Sequence, residues 1–522
     1  MRNCILKTSI LIIALLLAMP VIAFGADQSG SLYAPGKVLV KFKSLPSARA
    51  LKDFALSHNL VKDKRIPRID VFRFSISNAE NVPDAVKKVA ADRLVEFAEP
   101  DYIRYANYLP NDPLYSQQWD MTRVELPLFW DVQKGVQSVI VAVTDTGIDL
   151  DHPDLVNQLW QNPGEIPGNN IDDDHNGYRD DYNGYDFAGD GVFPLEGAED
   201  PIPDDTYVGH GTHVSGTIAA QQDNSIGISG EAPGVKIMAV RVLGGILGAG
   251  FSSDIAEGVI YATDNGASVI NMSLGGTMKT MTEYNSLKYA WDNNVFIAAA
   301  AGNEGDTGNP IGYPAAYCFT TSVGATDSLD NIASFSTHNV FVEVSGPGVE
   351  ILSTVPGGVY ESSGWSGTSM ATPHVAGLAA LLYSQYPGIA NWQVRSMLQS
   401  GVIDRGAAGW DAFYGYGRVD CSTLLAVPLP SANTLQILSP PQGSTFPSGS
   451  LVALLWTKVA GAASYKVHAW IPGGGYKVIT TTTPYYTVPP SQRLAAGSYT
   501  IKVEAYDGVG GLITYGVVGF NK

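Results

Sequence analysis

Four short runs in the middle of the chain, Val139 to Val143, Val235 to Val242, Ser268 to Met272 and Val295 to Ala301, are largely apolar and lack the alternation of a strand with one wet face. Runs of this length and character are strands covered on both sides. Helical stretches such as Ser252 to Asn265 separate them, and strand alternating with helix predicts a mainly parallel sheet between two helical layers. The expected fold class is three-layer α/β. In such folds functional side chains gather beyond the carboxyl ends of the strands, so chemistry is sought there.

The patterning differs on either side of this region, and 522 residues are enough for two to four domains. From Lys37 to Ile103 the order reads strand, helix, strand, helix, strand. Val38, Val40 and Phe42 alternate, as do Phe72, Phe74 and Ile76, then Val95 and Phe97, while Leu51, Phe54 and Ala55, and then Val82, Val86 and Val89, follow helical spacing. A small α+β domain is expected, ending at the turn-rich Asn111-Asp112-Pro113. After Val427, Pro428 to Asn433 reads as a linker. Beyond it Tyr465, Val467 and Ala469, then Tyr499, Ile501, Val503 and Ala505, alternate as half-buried strands of an all-β module, with Trp456 and Tyr465 as core aromatics. The expected boundaries are 1–25 leader, 26–109 first domain, 110–427 α/β domain, 428–434 linker and 435–522 β module.

The leader carries Arg2 and Lys7, an apolar run from Ile10 to Ala18, and Ala23-Phe24-Gly25, small residues where a signal peptidase reads. The run is shorter than the roughly 20 apolar residues of a spanning helix, so a secreted chain, free of the membrane once the leader is removed, is expected. Cys4 would leave with the leader; Cys318 and Cys421 either pair or stay as buried thiols. The net charge of −18 is unevenly spread: residues 1–108 hold 16 basic and 10 acidic groups, which leaves 16 basic against 40 acidic in the remainder. A basic first domain and an acidic body attract one another, and the acidity argues against a nucleic-acid partner.

Three motifs carry chemistry. Val143-Thr144-Asp145-Thr146-Gly147-Ile148-Asp149 ends a strand, Gly209-His210-Gly211-Thr212-His213-Val214-Ser215-Gly216 opens a helix, and Gly367-Thr368-Ser369-Met370-Ala371-Thr372-Pro373-His374-Val375-Ala376-Gly377 opens another. Singly, an Asp at a strand end, a His in a core and a Ser at a helix start are ordinary. Together, in the order Asp, His, Ser, they resemble the subtilisin-like serine proteases over about Pro110 to Val427.

The resemblance implies an endopeptidase in which Ser369 is the nucleophile, His210 the base and then the acid, and Asp145 the group that orients the imidazole. The Asn303 side chain in Ala300-Ala301-Gly302-Asn303-Glu304-Gly305 would pair with the Ser369 backbone N–H as oxyanion donors. His213 and His374 are structural in this reading. Substrate would lie as an added strand between Ser273-Leu274-Gly275 and Gly248-Ala249-Gly250, and Gly312 would leave the primary pocket open to large apolar residues, with Glu304 at its rim tolerating Lys or Arg. Protein substrates of broad sequence are expected, and a monomer. A relative with a dead site, used as a scaffold, would show the loss of a triad residue, and none is lost.

The resemblance also implies structural Ca²⁺. Gln222, Ile226 and Ile228 would supply carbonyls, Asn224 a side-chain oxygen, and Asp154 and Asp112 carboxylates. A second candidate, Asp172 to Asp181, spaces oxygen groups like the opening of an EF-hand loop, with Asp172, Asp174, Asn176, Tyr178 and Asp181 as candidate ligands, but has Asn183 where a bidentate Glu belongs. The first domain resembles the inhibitory propeptides of the family, cut by the enzyme itself between about Ile103 and Pro113. The terminal module resembles fibronectin-type or immunoglobulin-like sandwiches, as a surface binder, a substrate binder or a spacer.

Overall fold

The apolar runs become four adjacent strands of the central sheet. The structure, a computed structural model, describes residues 25–26, 32–77, 81–102, 109–189, 191, 197–205, 207–447, 450, 452–489 and 494–522. The expected leader lies almost wholly outside these residues, as does 103–108 of the expected cleavage stretch. The chain divides into two units, Met1–Arg104 with Leu425–Pro428, and Tyr105–Leu424 with Leu429–Lys522.

In the first unit, strands β1 (Gly25–Ala26), β2 (Leu32–Phe42), β3 (Leu60–Ile66), β4 (Val71–Ile76) and β5 (Val95–Tyr102) form one antiparallel sheet, in which β2 is flanked by β4 and β5 and β3 lies outside β4. Helices α1 (Ala48–Ser57) and α2 (Val82–Ala90) turn Phe54, Val82, Ala85 and Val89 into a core with Val38, Val40, Phe72 and Phe74. Ser47 and Asn81 cap the two helices through their side chains. Two readings of the sequence are corrected here. The strand β3 went unseen because its middle is charged and exposed, and Phe97 faces outward, 39% exposed, because the register between β2 and β5 shifts beside it.

In the second unit, strands β6 (Ile140–Asp145), β7 (Gly184–Asp186), β8 (Lys236–Arg241), β9 (Val269–Met272), β10 (Phe296–Ala300), β11 (Thr321–Thr326) and β12 (Val342–Pro347) run parallel. With β15 (Val402–Ile403) and β16 (Arg418–Val419) they make a nine-stranded sheet among the described residues, in the order β15-β16-β12-β11-β10-β9-β6-β8-β7. A separate hairpin pairs β13 (Ser353–Val355) with β14 (Val359–Glu361). The longer helices, of ten residues or more, are α3 (His210–Ala219), α4 (Ser252–Asp264), α5 (Met281–Asp292), α6 (Thr368–Gln385) and α7 (Asn391–Ser400). Ala142, Met238, Val240, Ile270 and Ile297 share a core with Ile255, Val259, Leu287 and Trp291 of α4 and α5. The residues between them, such as Val141, Ala239, Val269 and Ala298, are equally buried, and α3 and α6 pack on the same strands. Burial of both faces is what the unbroken apolar runs required.

The terminal module is a two-sheet sandwich. Strands β17 (Ile437–Ser439), β18 (Ala453–Trp456) and β21 (Tyr485–Thr487) form one sheet, and β19 (Ser464–Ile471), β20 (Gly475–Thr481), β22 (Ser498–Tyr506) and β23 (Leu512–Asn521) the other. Trp456 and Tyr465 meet edge to face at 5.4 Å in its core. The module is no loose appendage, because Leu438, Leu455 and Tyr485 join the core of the α/β sheet with Trp291, Phe319 and Trp392. Gln399 donates to the Leu438 carbonyl at 3.3 Å and Ser396 to Gln436 at 2.8 Å across the same junction.

Candidate active site

Asp145 ends β6 at the carboxyl edge of the sheet and is fully buried. Its Oδ1 accepts from His210 Nδ1 at 2.7 Å and from the Thr146 N–H at 2.8 Å. His210 opens α3, and glycine is what lets α3 come this close: a Cβ on Gly211 would lie 2.1 Å from the Gly147 carbonyl oxygen. Burial pulls the His210 pKa down, but the charge and hydrogen bond of Asp145 and the charge of Asp205 outweigh it, so the net shift is upward. Asp205, itself buried, accepts from the N–H groups of Gly209 and Thr212 at 2.9 and 3.1 Å and so caps the helix that carries His210.

Ser369 is the second residue of α6, where a backbone N–H has no acceptor within the helix. Its hydroxyl donates to the Ser273 carbonyl at 3.1 Å, while the Ser273 hydroxyl donates to the Ser369 carbonyl at 2.8 Å. Asn303 Oδ1 accepts from the Thr368 N–H at 2.8 Å and the Thr368 hydroxyl at 3.0 Å, which leaves its amide nitrogen for the cleft. His210, Ser369 and Asn303 line one cleft with Ser273, Leu274, Gly275, Gly248, Gly250 and Gly312. A Cβ on Gly312 would sit 3.0 Å from the Ala301 carbonyl oxygen, so a side chain there would crowd that carbonyl.

His213 and His374 are buried away from this cleft. His213 stacks on Trp365 at 4.4 Å and donates to the Ile351 carbonyl, and burial holds its pKa down at about 3. His374 meets Glu231 at 2.6 Å, and burial lowers its pKa to about 4. Cys318 and Cys421 are both free and buried, and burial pushes the Cys318 thiol up to about 12.

The first candidate calcium loop folds over two buried carboxylates. Asp112 accepts from the N–H groups of Asp223 and Asn224, and Asp154 from the Ile228 N–H at 3.1 Å. Burial raises the pKa of both, and the charge of Asp154 adds to the rise at Asp112, a strain that a divalent cation relieves. These residues fit a hard cation. Asn224 turns its amide nitrogen toward Asp154, at 2.6 Å, while its oxygen accepts from the Ile226 N–H, and the Gln222 amide donates to Ser229.

In the second loop carboxylate oxygens of Asp172, Asp174 and Glu165 lie within 4.8 Å of one another. Glu165 is buried and one of its oxygens has no hydrogen-bond partner, so this group too fits a cation. The sequence reading missed Glu165, because it comes from a turn outside the alternating run. Asp181 instead spends its oxygens on Asn162, Asn176 and Tyr261, and Asn176 also donates to Asp174. The Tyr178 ring packs on Tyr185, Phe187 and Tyr261, which leaves its carbonyl as the group it could offer.

The sequence profile of the subtilase family matches residues 136–417, and that of the fervidolysin N-terminal prodomain matches residues 23–101. The thermophilic serine proteinase of Bacillus sp. (strain AK1) is 38% identical over 397 residues, 74% of this chain and 86% of that protein. Thermitase of Thermoactinomyces vulgaris is 38% identical over 314 residues, 60% of this chain and 98% of its own. The crystal structure of fervidolysin from Fervidobacterium pennivorans, a keratinolytic enzyme related to subtilisin, matches in fold with a TM-score of 0.53 at 24% identity, over 97% of this chain and 80% of that one. Fold and relatives together define a serine-type endopeptidase that carries an N-terminal prodomain. The chain belongs to the subtilase family.

Proposed function

We propose that this protease is exported, cuts itself free of its prodomain, and hydrolyses extended protein segments of broad sequence, with Asp145, His210, Ser369 and Asn303 as its catalytic groups. The observation that carries this reading is the 2.7 Å hydrogen bond from His210 Nδ1 to buried Asp145, beside the cleft into which Ser369 opens. That bond leaves Nε2 unprotonated and free to act as a base.

Substrate adds as a strand between the walls at Gly248–Gly250 and Ser273–Gly275, and Gly312 leaves space for the residue that bears the scissile carbonyl. Rotation about the Ser369 Cα–Cβ bond takes its hydroxyl from the Ser273 carbonyl to His210. His210 accepts the proton as the oxygen attacks, and Asp145 stabilises the imidazolium. The Asn303 amide and the Ser369 N–H receive the oxyanion. The imidazolium then protonates the leaving amine; water, deprotonated by His210, attacks the acyl carbonyl, and His210 returns that proton to Ser369 Oγ as the acyl–oxygen bond breaks and the acid leaves.

Asp112, Asp154, Asn224 and the carbonyls of Gln222, Ile226 and Ile228 would hold one Ca²⁺, and Asp172, Asp174 and Glu165, with Asn176 and the Tyr178 carbonyl beside them, a second; the ions would supply no step of the chemistry and would add their binding free energy to the folded state. The prodomain is the first ligand of the cleft, and the mature enzyme works as an extracellular monomer. Purified Ser369→Ala tests the reading: intact-mass measurement should find the prodomain still attached, whereas the parent chain begins between about Ile103 and Pro113. A mature amino terminus on the variant, made free of other proteases, would overturn it.

A further inference from the structure

The only Asp or Glu residues among the described residues that line the cleft are Glu283 and Glu304, and no Lys or Arg lines it. Glu304 stands at the rim and its carboxylate already accepts from the Asn303 N–H at 2.9 Å. Glu283 is different. It is the third residue of α5, 7% exposed, and its Oε1 accepts from Ser252 Oγ at 2.8 Å, at the start of α4. Its own N–H donates to Thr280 Oγ1 at 3.2 Å. Two helix starts therefore converge on this carboxylate and favour its ionised form. Burial works the other way and raises its pKa, against the hydrogen bonds of Ser252 and Thr280, and no cationic side chain among the described residues enters that balance.

A buried carboxylate with no cation of its own, open to a substrate cleft, is a site built for a cation from outside. The cleft that Glu283 lines is also lined by the apolar residues Leu243, Ile255, Leu274 and Met278. An apolar lining that also holds a buried carboxylate matches the aliphatic stem and charged tip of Lys or Arg. Ser252 and Ile255 of α4 and Glu283 of α5 line the cleft together, Ser252 being bonded to Glu283. The primary pocket is built by other elements, through Gly312 and Tyr313, whose backbone exchanges hydrogen bonds with Gly276 at 2.8 Å in each direction. A substrate held as an extended strand along the same walls thus brings a different residue to each.

We propose that Glu283 is a specificity-determining residue, selecting Lys or Arg at one substrate position on the acyl side of the scissile bond, away from the primary pocket. The inference rests on reading this cleft as the catalytic one. It narrows the substrate class to segments that pair a bulky residue at the primary pocket with a basic residue further along.

The test uses the mature enzyme and a fluorogenic peptide series in which Lys, Leu or Glu is placed in turn at the second, third and fourth residue before the scissile bond. The parent enzyme should prefer Lys to Leu in kcat/KM by about tenfold at one of these positions, the size of a charged hydrogen bond, and should disfavour Glu there most. Glu283→Gln keeps a side-chain oxygen able to accept from Ser252 and removes the charge. In that variant the Lys to Leu ratio should fall to near one at that position alone, and in Glu283→Leu it should reverse. A parent enzyme with no Lys preference, or a preference that survives in Glu283→Gln, would overturn the proposal. So would a uniform loss across the whole series with a lowered Tm, which marks a purely structural residue. Hydrolysis of the series by Ser369→Ala would instead sink the catalytic reading, so the two failures are told apart.

Discussion

Ser273 and Ser369 clasp one another, each hydroxyl donating to the other's backbone carbonyl, at 3.1 and 2.8 Å. A residue of the cleft wall is thereby tied to the start of the helix that carries Ser369. The wall is also braced from behind, where the Asn271 amide donates to Ser273 Oγ at 3.0 Å. Ser273→Ala removes one half of the clasp and leaves the Asn271 amide buried without its acceptor. We expect a loss of about 1–3 kcal/mol in stability. Denaturant unfolding of the Ser369→Ala background, where self-digestion is absent, checks it, and an unchanged midpoint would mean that the clasp holds nothing.

Asn303→Ala should separate binding from chemistry. If its Nδ2 holds the oxyanion as proposed, kcat should fall about 100- to 1000-fold with KM little changed, the loss that removal of one such donor causes in subtilisin. Thr368 loses the acceptor of its N–H and hydroxyl at the same time, so a modest fall in Tm should accompany it. A stable variant with undiminished kcat would remove Asn303 from the site.

The acid limb of kcat/KM should lie above the pH expected of an ordinary histidine, because His210 must be neutral to act and its pKa is raised. Burial opposes that rise, so the charges of Asp145 and Asp205 decide it. Asp205→Asn should therefore move the limb to lower pH, whereas a residue that merely caps α3 would change Tm and leave the limb where it was. The pH profile of the variant discriminates directly.

Chelation should lower Tm and open the loops around Asp154 and Asp174 to self-digestion, since an ion bound by the folded state alone stabilises that state. Glu165→Gln should weaken the effect of added Ca²⁺ on Tm through the second loop while leaving the first intact. Melting curves with and without chelator, for parent and variant, measure both. Identical curves would count against both sites.

A buried group remote from the cleft sets a pH dependence of stability. Asp120 faces His374 Nε2 at 3.8 Å, with Glu231 on the other ring nitrogen and the hydroxyl of Tyr115 nearby, and burial pushes the Asp120 carboxyl up to about 6. A carboxyl whose folded pKa is raised contributes stability that is full below its unfolded value, near 3.8, and is lost as pH rises through about 6. Asp120→Asn should remove that loss, so the gain of variant over parent should grow between pH 5 and pH 8. Equal differences at the two pH values would refute the assignment.

The legible part of this molecule was whatever the chain writes locally. The runs at Val139, Val235, Ser268 and Val295 announced β6, β8, β9 and β10 because both faces of those strands are buried, and the motifs around Asp145, His210 and Ser369 are long and contiguous. The strand β11 escaped notice because Thr321-Ser322-Val323-Gly324-Ala325-Thr326 is small and polar; its burial comes from its neighbours, with Thr326 donating to the Gly346 carbonyl. Asp205, Glu165 and Glu283 were missed for a related reason. Each matters through what the fold sets beside it, a helix start, an acidic loop or a cleft, and no spacing in the sequence encodes that adjacency.

The shared core between the β module and the α/β sheet changes what it means to lose the module. Tyr284 and Thr487 are hydrogen-bonded at 2.5 Å, Tyr485 donates to Asp292 at 3.2 Å, and the Lys288 ammonium sits 5.2 Å over the Tyr485 ring. A chain trimmed at the linker would bare Trp291, Phe319 and Trp392 to water, an oily scar on a surface otherwise rich in carboxylates. Such a fragment would be sticky before it was inactive. Recombinant boundaries drawn at residue 427 would therefore yield aggregates whose cause lies in the missing lid of an inner core and nowhere near Ser369.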